Sequence, residues 1–331
     1  MDQAIQTGLD LTIWLQTTYP QFEGFFYFIT NLGLEEFYLA MFPLIFWCIH
    51  KELGKQLGYI FLFGLFVNGI FKQVFRGPRP FWVDPSVGLD TREEGYGIPS
   101  GHTQLATIFY FFLAAWVGRV WLWAAAVLIV FLMGLSRIYL GAHFLHDVIA
   151  GFLLSVLILV GFAIWRQRWA DDFGKRILGQ RLLAVIFIPV VLAAVFIIIR
   201  LIIGPPNMNV TWAELIPTAE RSSINAAAQA FGVLLGFGVG FVLEGSRVRF
   251  SADGPVWQRV VRYIGGMVVL IIIWAGLGEL FPRDPLWLAI PLRVLRYFLV
   301  LIWVSYYAPL LFVKLSLAGS EPDPGIDLTI R

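Results

Sequence analysis

Ser136 to Asp147, reading SRIYLGAHFLHD, puts an arginine, two histidines and an aspartate at spacings that could do chemistry. If residues 143 to 147 open a helix, His143 and Asp147 are i and i+4 neighbours on one face. A carboxylate there holds one ring nitrogen and leaves the other free as a nucleophile or base. Arg137, just before a break at Gly141, offers planar donors to an anion held against that histidine. Two other segments carry matching residue types: KQVFRGPRP, with Lys72, Arg79 and Pro80, and Pro99 followed by Ser100, Gly101 and His102. Lys72, Arg79 and Arg137 are enough cations to surround the oxygens of a tetrahedral anion. Ser100 is a good N-cap, Gly101 lets a backbone approach closely, and the free N–H groups at such a helix start favour an anion. His102 could then act as a general acid on a leaving-group oxygen, while His143, oriented by Asp147, attacks phosphorus in line. The competing reading of 136–147 taken alone is a snorkelling arginine at a membrane edge beside two interfacial histidines.

The elements that must position these residues are apolar. The chain has 331 residues, of which 59% are hydrophobic and 14% charged, against roughly 25% charged in soluble domains. Apolar runs near bilayer length recur throughout, so the expected fold is an all-α, polytopic helical bundle in a membrane. We read spans at about 33–50, 54–75, 99–118, 120–140, 144–165, 182–203, 223–243, 262–281 and 287–314. Residues 1–32 lack a clean span and carry many aromatics, which predicts an amphipathic N-terminal segment in the headgroup plane. The remaining divisions are a core over 33–165, a charged connector over 166–181, additional transmembrane helices over 182–315 and a polar tail over 316–331. The net charge of +2 gives no reason to expect a nucleic-acid partner. The single Cys48 excludes an intramolecular disulfide. The Met-Asp-Gln start lacks a basic region and a small-residue cleavage site, so no cleaved signal peptide is expected. Asp84, Asp90, Glu93 and Glu94 read as solvated loop surface rather than a metal-ligand cluster, and no metal or other cofactor is expected.

Alternation of nine spans brings the three chemical segments to one face of the membrane. Lys and Arg favour the opposite face, which makes the chemical face extracytoplasmic. The N-terminus is then expected outside and the C-terminus inside.

At these residues the chain resembles the type-2 phosphatidic acid phosphatase and vanadium haloperoxidase superfamily. Lys72-x6-Arg79-Pro80, Pro99-Ser100-Gly101-His102 and Ser136-Arg137-x5-His143-x3-Asp147 match its three-part signature at every position. The resemblance covers roughly 33–165, which makes that region a phosphatase core of about five to six helices. It implies metal-independent phosphoester hydrolysis, with His143 as nucleophile, His102 as acid and base, and Asp147 orienting His143. Lys72, Arg79, Ser100, Gly101 and Arg137 would bind phosphate. The span layout and SRIYLGAHFLHDVIAG also look like the glucose-6-phosphatase branch, although Asp147 is the general superfamily choice where that branch tends to carry an amide. The four extra spans argue against a minimal six-span lipid phosphatase.

The expected substrate is a lipid phosphate, since the site lies at headgroup depth; a sugar phosphate is the alternative. A phosphate or lipid transporter or receptor on an inactive phosphatase frame is the non-enzymatic alternative, and a vanadate-dependent haloperoxidase a further one. Membrane lipids are the other expected partners. His146, Arg76, Asn68, Arg293 and Arg296 each have a bland explanation as helix-start, headgroup, interhelical or snorkelling residues. The glycine-rich run 231–240 reads as a helix–helix contact.

Overall fold

A computed structural model describes residues 3–90 and 92–321, and among these the only β feature is one isolated bridge between Phe250 and Ser320. The helices are α1 (Gln3–Thr18), α2 (Glu23–Asn31), α3 (Glu35–Leu44), α4 (Lys51–Phe75), α5 (Pro80–Val83), α6 (Gly101–Val117) and α7 (Val120–Tyr139), followed by α8 (Leu145–Gly174), α9 (Leu178–Ile203), α10 (Ile216–Arg247), α11 (Val256–Leu280), α12 (Leu286–Ile302) and α13 (Ala308–Lys314). Each of the nine expected spans falls on helix among the described residues. Seven helices are long and apolar enough to cross a bilayer, or eight if the bent pair 20–31 and 35–49 is one span. The ninth expected span is α6, whose 17 residues lie at the short end of what a crossing needs. It is short because Ser100 caps it late and Gly118, at φ 69°, ends it. Of the expected tail over 316–331, residues 322–331 lie outside the described residues.

The chain divides into two compact units. One comprises Met1–Tyr38, Ile60–Asp171 and Val190–Ala230, and holds every residue singled out above for phosphate chemistry. The other comprises Leu39–Tyr59, Asp172–Pro189 and Phe231–Arg331. Inside the second unit Phe46 meets Phe241 and Phe250 edge-on, and Lys51 lies 3.0 Å from Glu244. The glycine-rich run brings α10 against α12: a Cβ at Gly232 or Gly236 would stand 2.5 Å from the Val294 or Phe298 carbonyl oxygen. Arg296 donates to the Trp274 carbonyl within the same unit, at 2.8 Å.

Within the first unit, local chemistry sets where each chemical segment sits. Arg79 is extended, at φ −102° and ψ 158°, as the proline after it requires. Ser100 takes the N-cap of α6 and its side-chain oxygen accepts from the Thr103 N–H. α7 stops at Tyr139, and Gly141 turns the chain at φ 67°. A Cβ there would stand 2.0 Å from the Val87 carbonyl oxygen, so the turn needs glycine both for its backbone and for its neighbour. The Ala142 and His143 N–H groups then both donate to the Arg137 carbonyl at 3.0 Å. α8 follows, and at Gly151 it passes so close to Ser100 that a Cβ would lie 2.6 Å from the Ser100 carbonyl oxygen. The Ser100 N–H donates to the Asp147 carbonyl at 2.9 Å, tying the starts of α6 and α8 together.

The N-terminal segment packs on this assembly. Leu9, Leu15, Phe26 and Ile29 are buried. Thr12 donates to the Ile138 carbonyl, and Gln16 donates to the Val87 and Tyr139 carbonyls at 2.9 and 2.8 Å. Tyr27 donates to the Leu89 carbonyl and Tyr139 to the Tyr19 carbonyl. These hydroxyls and amides thus satisfy backbone groups at the end of α7, in the 84–90 loop and at Tyr19. Gly151→Ala is expected to push α8 off the α6 start and to cost about 1–3 kcal/mol, read as a lower unfolding temperature of the purified protein. An unchanged temperature would mean the two helix starts can separate freely.

Candidate active site

Three loops meet in the first unit: the α4–α5 turn, the stretch from Gly95 to Ser100, and the α7–α8 turn. The Arg79 guanidinium is at their centre and is fully buried. Its Nε donates to the Gly95 carbonyl at 2.6 Å and its Nη2 to the Tyr96 carbonyl at 3.1 Å. Its Nη1 donates to the Ala142 carbonyl at 3.0 Å and lies 3.1 Å from His143 Nε2. Lys72 joins from α4, donating to the Tyr96 carbonyl at 2.6 Å. Arg137, also fully buried, donates Nη1 to Asp90 Oδ2 at 3.0 Å and to the Thr30 hydroxyl.

His143 and Asp147 pair, with Nδ1 and Oδ2 3.3 Å apart, but α8 opens only at Leu145, so His143 sits in the turn before the helix and not on its face as expected. The same Oδ2 accepts from the Phe144 N–H at 3.0 Å, which fixes the carboxylate. With the proton on Nδ1 toward Asp147, Nε2 presents a lone pair in the direction of Arg79. Burial first, then Arg79, Lys72 and Arg137, push the His143 imidazolium well below the usual histidine range. This favours the neutral ring. His102 Nδ1 lies 3.2 Å from Glu93 Oε1, and its buried Nε2 has no protein partner. Glu93 Oε2 is 3.1 Å from Arg79 Nη2, so contacts run without a gap from His102 through Glu93 and Arg79 to His143.

Ser100 is fully buried and its oxygen serves Thr103, whose hydroxyl donates to it at 3.1 Å in addition to the cap. At Gly101 a Cβ would make only an ordinary 3.5 Å contact with Asn68, so the close backbone approach falls at Gly151 and Gly141 instead. Asn68 braces the α6 start rather than Lys72: its Nδ2 donates to the Pro99 carbonyl at 3.3 Å and to Gln104 Oε1 at 2.6 Å. Arg76 turns to the Gly204 carbonyl and to Glu220. His146 is half exposed and its Nε2 lies 3.2 Å from the second Asp147 oxygen.

The loop acids require a correction. Asp90 and Glu93, expected as solvated surface, face the arginines; Asp90 is 3% exposed and holds Arg92 as well as Arg137. Glu94 is exposed and Asp84 caps the local turn at Ser86, as surface residues do. The physical reason is charge: two buried guanidiniums need carboxylates. That need was the available signal, because 84–94 is the acidic stretch that follows the basic Lys72–Arg79 segment. Thr30, Tyr96 and Glu220 were missed without any such signal. The Tyr96 hydroxyl donates to Glu220 Oε1 at 2.7 Å, which steadies the carbonyl that receives Lys72 and Arg79. Among the described residues no group of three or more His, Cys, Asp or Glu is arranged to hold a metal ion.

A carboxylate-oriented imidazole thus lies beside two arginines and a lysine in a helical bundle, an arrangement suited to hold a tetrahedral anion. Residues 53–171 match the family model described as PAP2 superfamily, and residues 228–320 match PAP2 superfamily phosphatase, transmembrane extension. The chain belongs to the PAP2 superfamily and is an integral membrane protein. It is 27% identical over 199 residues to glucose-6-phosphatase catalytic subunit 1 of Haplochromis nubilus, covering 51% of this chain and 56% of that one. It is 35% identical over 140 residues to sphingosine-1-phosphate phosphatase 1 of Mus musculus, covering 40% and 32%. Against lipid phosphate phosphatase delta of Arabidopsis thaliana it is 29% identical over 166 residues, covering 46% and 40%. The matched stretch is thus about half or less of the length of these curated relatives. No solved structure matches.

Asp90 gives a test of the electrostatic frame. Burial raises its carboxyl, but hydrogen bonds from Arg92 and Arg137 and their charges outweigh this and bring it from 3.8 to about 2. A carboxyl depressed on folding stabilises above its unfolded value and loses that contribution as pH falls. Asp90→Asn is therefore expected to lower the unfolding temperature at neutral pH, with the deficit closing between pH 3.8 and about 2. A deficit that stays constant down to pH 2 would contradict the pairing.

Proposed function

We propose that this chain is a membrane-embedded, metal-independent phosphatase that hydrolyses a phosphomonoester or diphosphate through a phosphohistidine. The observation that carries the reading is the alignment of Asp147, the His143 ring and Arg79 in one buried line. In the first step His143 Nε2 bonds to phosphorus and the bond to the leaving oxygen breaks, with His102 supplying that oxygen's proton. In the second, water attacks the phosphohistidine, His102 takes the water's proton, the P–N bond breaks and neutral His143 returns. Lys72, Arg79 and Arg137 hold the phosphoryl oxygens, and the α6 start with Ser100 and Gly101 adds N–H groups. Positioning and charge carry most of such a transfer, and no metal is required.

The favoured substrate is a lipid phosphate, because the site is built at the ends of span-length helices and two of the similar proteins are named as phosphatases of lipid phosphates. A sugar phosphate is the second reading. A cavity of about 310 Å³ beside Lys72 and Arg79 is lined in part by Asn68, Ser222 and Ser223, polar groups suited to a hydroxylated leaving group. The active face is assigned to the extracytoplasmic side by the distribution of Lys and Arg between the loops.

Phosphate release from phosphatidate micelles is expected to exceed that from glucose 6-phosphate; the reverse order selects the sugar. His143→Ala should abolish release, and Asp147→Asn should slow it about 100-fold, with chelator without effect. Release that survives His143→Ala would end the phosphohistidine reading, and loss in chelator would reveal a metal. Ser86 is exposed and Cys48 is buried, so Ser86→Cys offers a clean label. Labelling by an impermeant maleimide in intact cells or vesicles of native orientation is expected; labelling only after permeabilisation reverses the topology.

A further inference from the structure

The Glu93 carboxylate sits where the substrate's phosphate would have to bind. Oε1 lies 3.1 Å from Arg137 Nη2 and 3.2 Å from His102 Nδ1, and Oε2 lies 3.1 Å from Arg79 Nη2. Two guanidiniums and an imidazole are thereby engaged by one planar anion, in the way a phosphoryl group would engage them. The other donors of Arg79 are already committed to the Gly95, Tyr96 and Ala142 carbonyls, and Nη1 of Arg137 to Asp90 and Thr30. Nη2 of Arg137, bound to Glu93, and its buried Nε, which has no partner among the described residues, are thus the donors of that arginine left for a ligand. The Glu93 side chain keeps 27% of its surface exposed and lines the 310 Å³ cavity, so it has somewhere to go. Asp90, which also neutralises Arg137, is only 2% exposed at its side chain and lines no such cavity.

We propose that Glu93 is a resident competitor for the phosphate site, which an incoming phosphate must displace from Arg79 and Arg137, and that it thereby sets the affinity an anion must bring to occupy the site. This rests on the phosphatase reading above. A phosphate dianion brings more charge and more acceptor oxygens to the same donors than one carboxylate, so it can take them over. A singly charged carboxylate or phosphodiester has no such advantage. If the Glu93-bound form is the major one, apparent affinity for phosphate is reduced by the fraction of molecules with the site open. Glu93 sets an affinity threshold in this account, and it gives up its arginine contacts before chemistry begins.

The test is equilibrium binding of inorganic phosphate to the full chain in detergent, by calorimetry, comparing wild type with Glu93→Gln and Glu93→Asp. Glu93→Gln keeps the shape but loses the charge, and should bind phosphate about tenfold more tightly, the ratio expected if nine molecules in ten hold Glu93 in place. Glu93→Asp keeps the charge but shortens the reach, and should also bind more tightly. Dimethyl phosphate, a monoanion, should gain by the same factor, because the fraction of open sites does not depend on the ligand. If wild type binds phosphate and both variants bind it equally or more weakly, Glu93 supports the site instead of competing for it, and the proposal falls while the phosphatase reading stands. If no form binds phosphate, the phosphatase reading falls with it. Should the variants not fold, carboxylate infrared bands of the wild-type protein decide: phosphate must shift a glutamate band, and an unshifted spectrum with phosphate bound overturns the proposal.

Discussion

Two guanidiniums with no exposed surface are the constraint to which the first unit is built. An arginine removed from water must find acceptors for its donors and a countercharge for its cation, and in a membrane bundle neither comes from solvent. Arg79 collects three main-chain carbonyls from two different loops and one carboxylate. Arg137 collects two carboxylates and a threonine hydroxyl. The loop from Asp84 to Ser100 therefore folds back onto the helix ends, and the α7–α8 turn closes against it. Taking either arginine away would leave buried carbonyls and acids without donors, so the site and the local fold are the same structure seen from two sides.

The same charges set the reactivity of the histidine. Burial and the surrounding cations disfavour a proton on His143, while Asp147 keeps the ring oriented through Nδ1. In the proposed mechanism, the cations that would bind the phosphate are also the ones that disfavour an imidazolium at His143. Glu93 and Asp90 balance those cations, at unequal depths. Asp90 is enclosed and fixed by Arg92 and Arg137 together, whereas Glu93 remains partly open to the cavity. A permanent countercharge and an exchangeable one can thus occupy one loop.

Support comes from segments outside the signature. Helices α1 and α2 lay Thr12, Gln16 and Tyr27 on carbonyls of the α7 end and the 84–90 loop, and Thr30 touches Arg137 directly. From the start of α10, Glu220 gathers Arg76, Arg200 and the Tyr96 hydroxyl. These polar side chains fix backbone positions at the site's edge, which explains how short loops carry two buried cations without strain at Arg79 itself.

The sequence by itself determined the all-helical membrane fold, because span-length apolar runs leave a bilayer-embedded backbone no other way to satisfy its hydrogen bonds. The spacing of His143 and Asp147 pointed to their pairing, but not through a shared helix face: α8 opens at Leu145, and the contact forms across the turn that precedes it. Local rules likewise gave the Ser100 cap and the turn at Gly141. Only the tertiary structure decided what opposes Arg79 and Arg137. Asp90 and Glu93 have the composition of ordinary loop surface, and Thr30 and Tyr96 carry no mark of their partners. Their contacts join residues 14 to 107 positions apart, across turns whose paths no periodicity encodes. Short-range geometry is written in spacing; the balancing of buried charge is settled where distant loops meet.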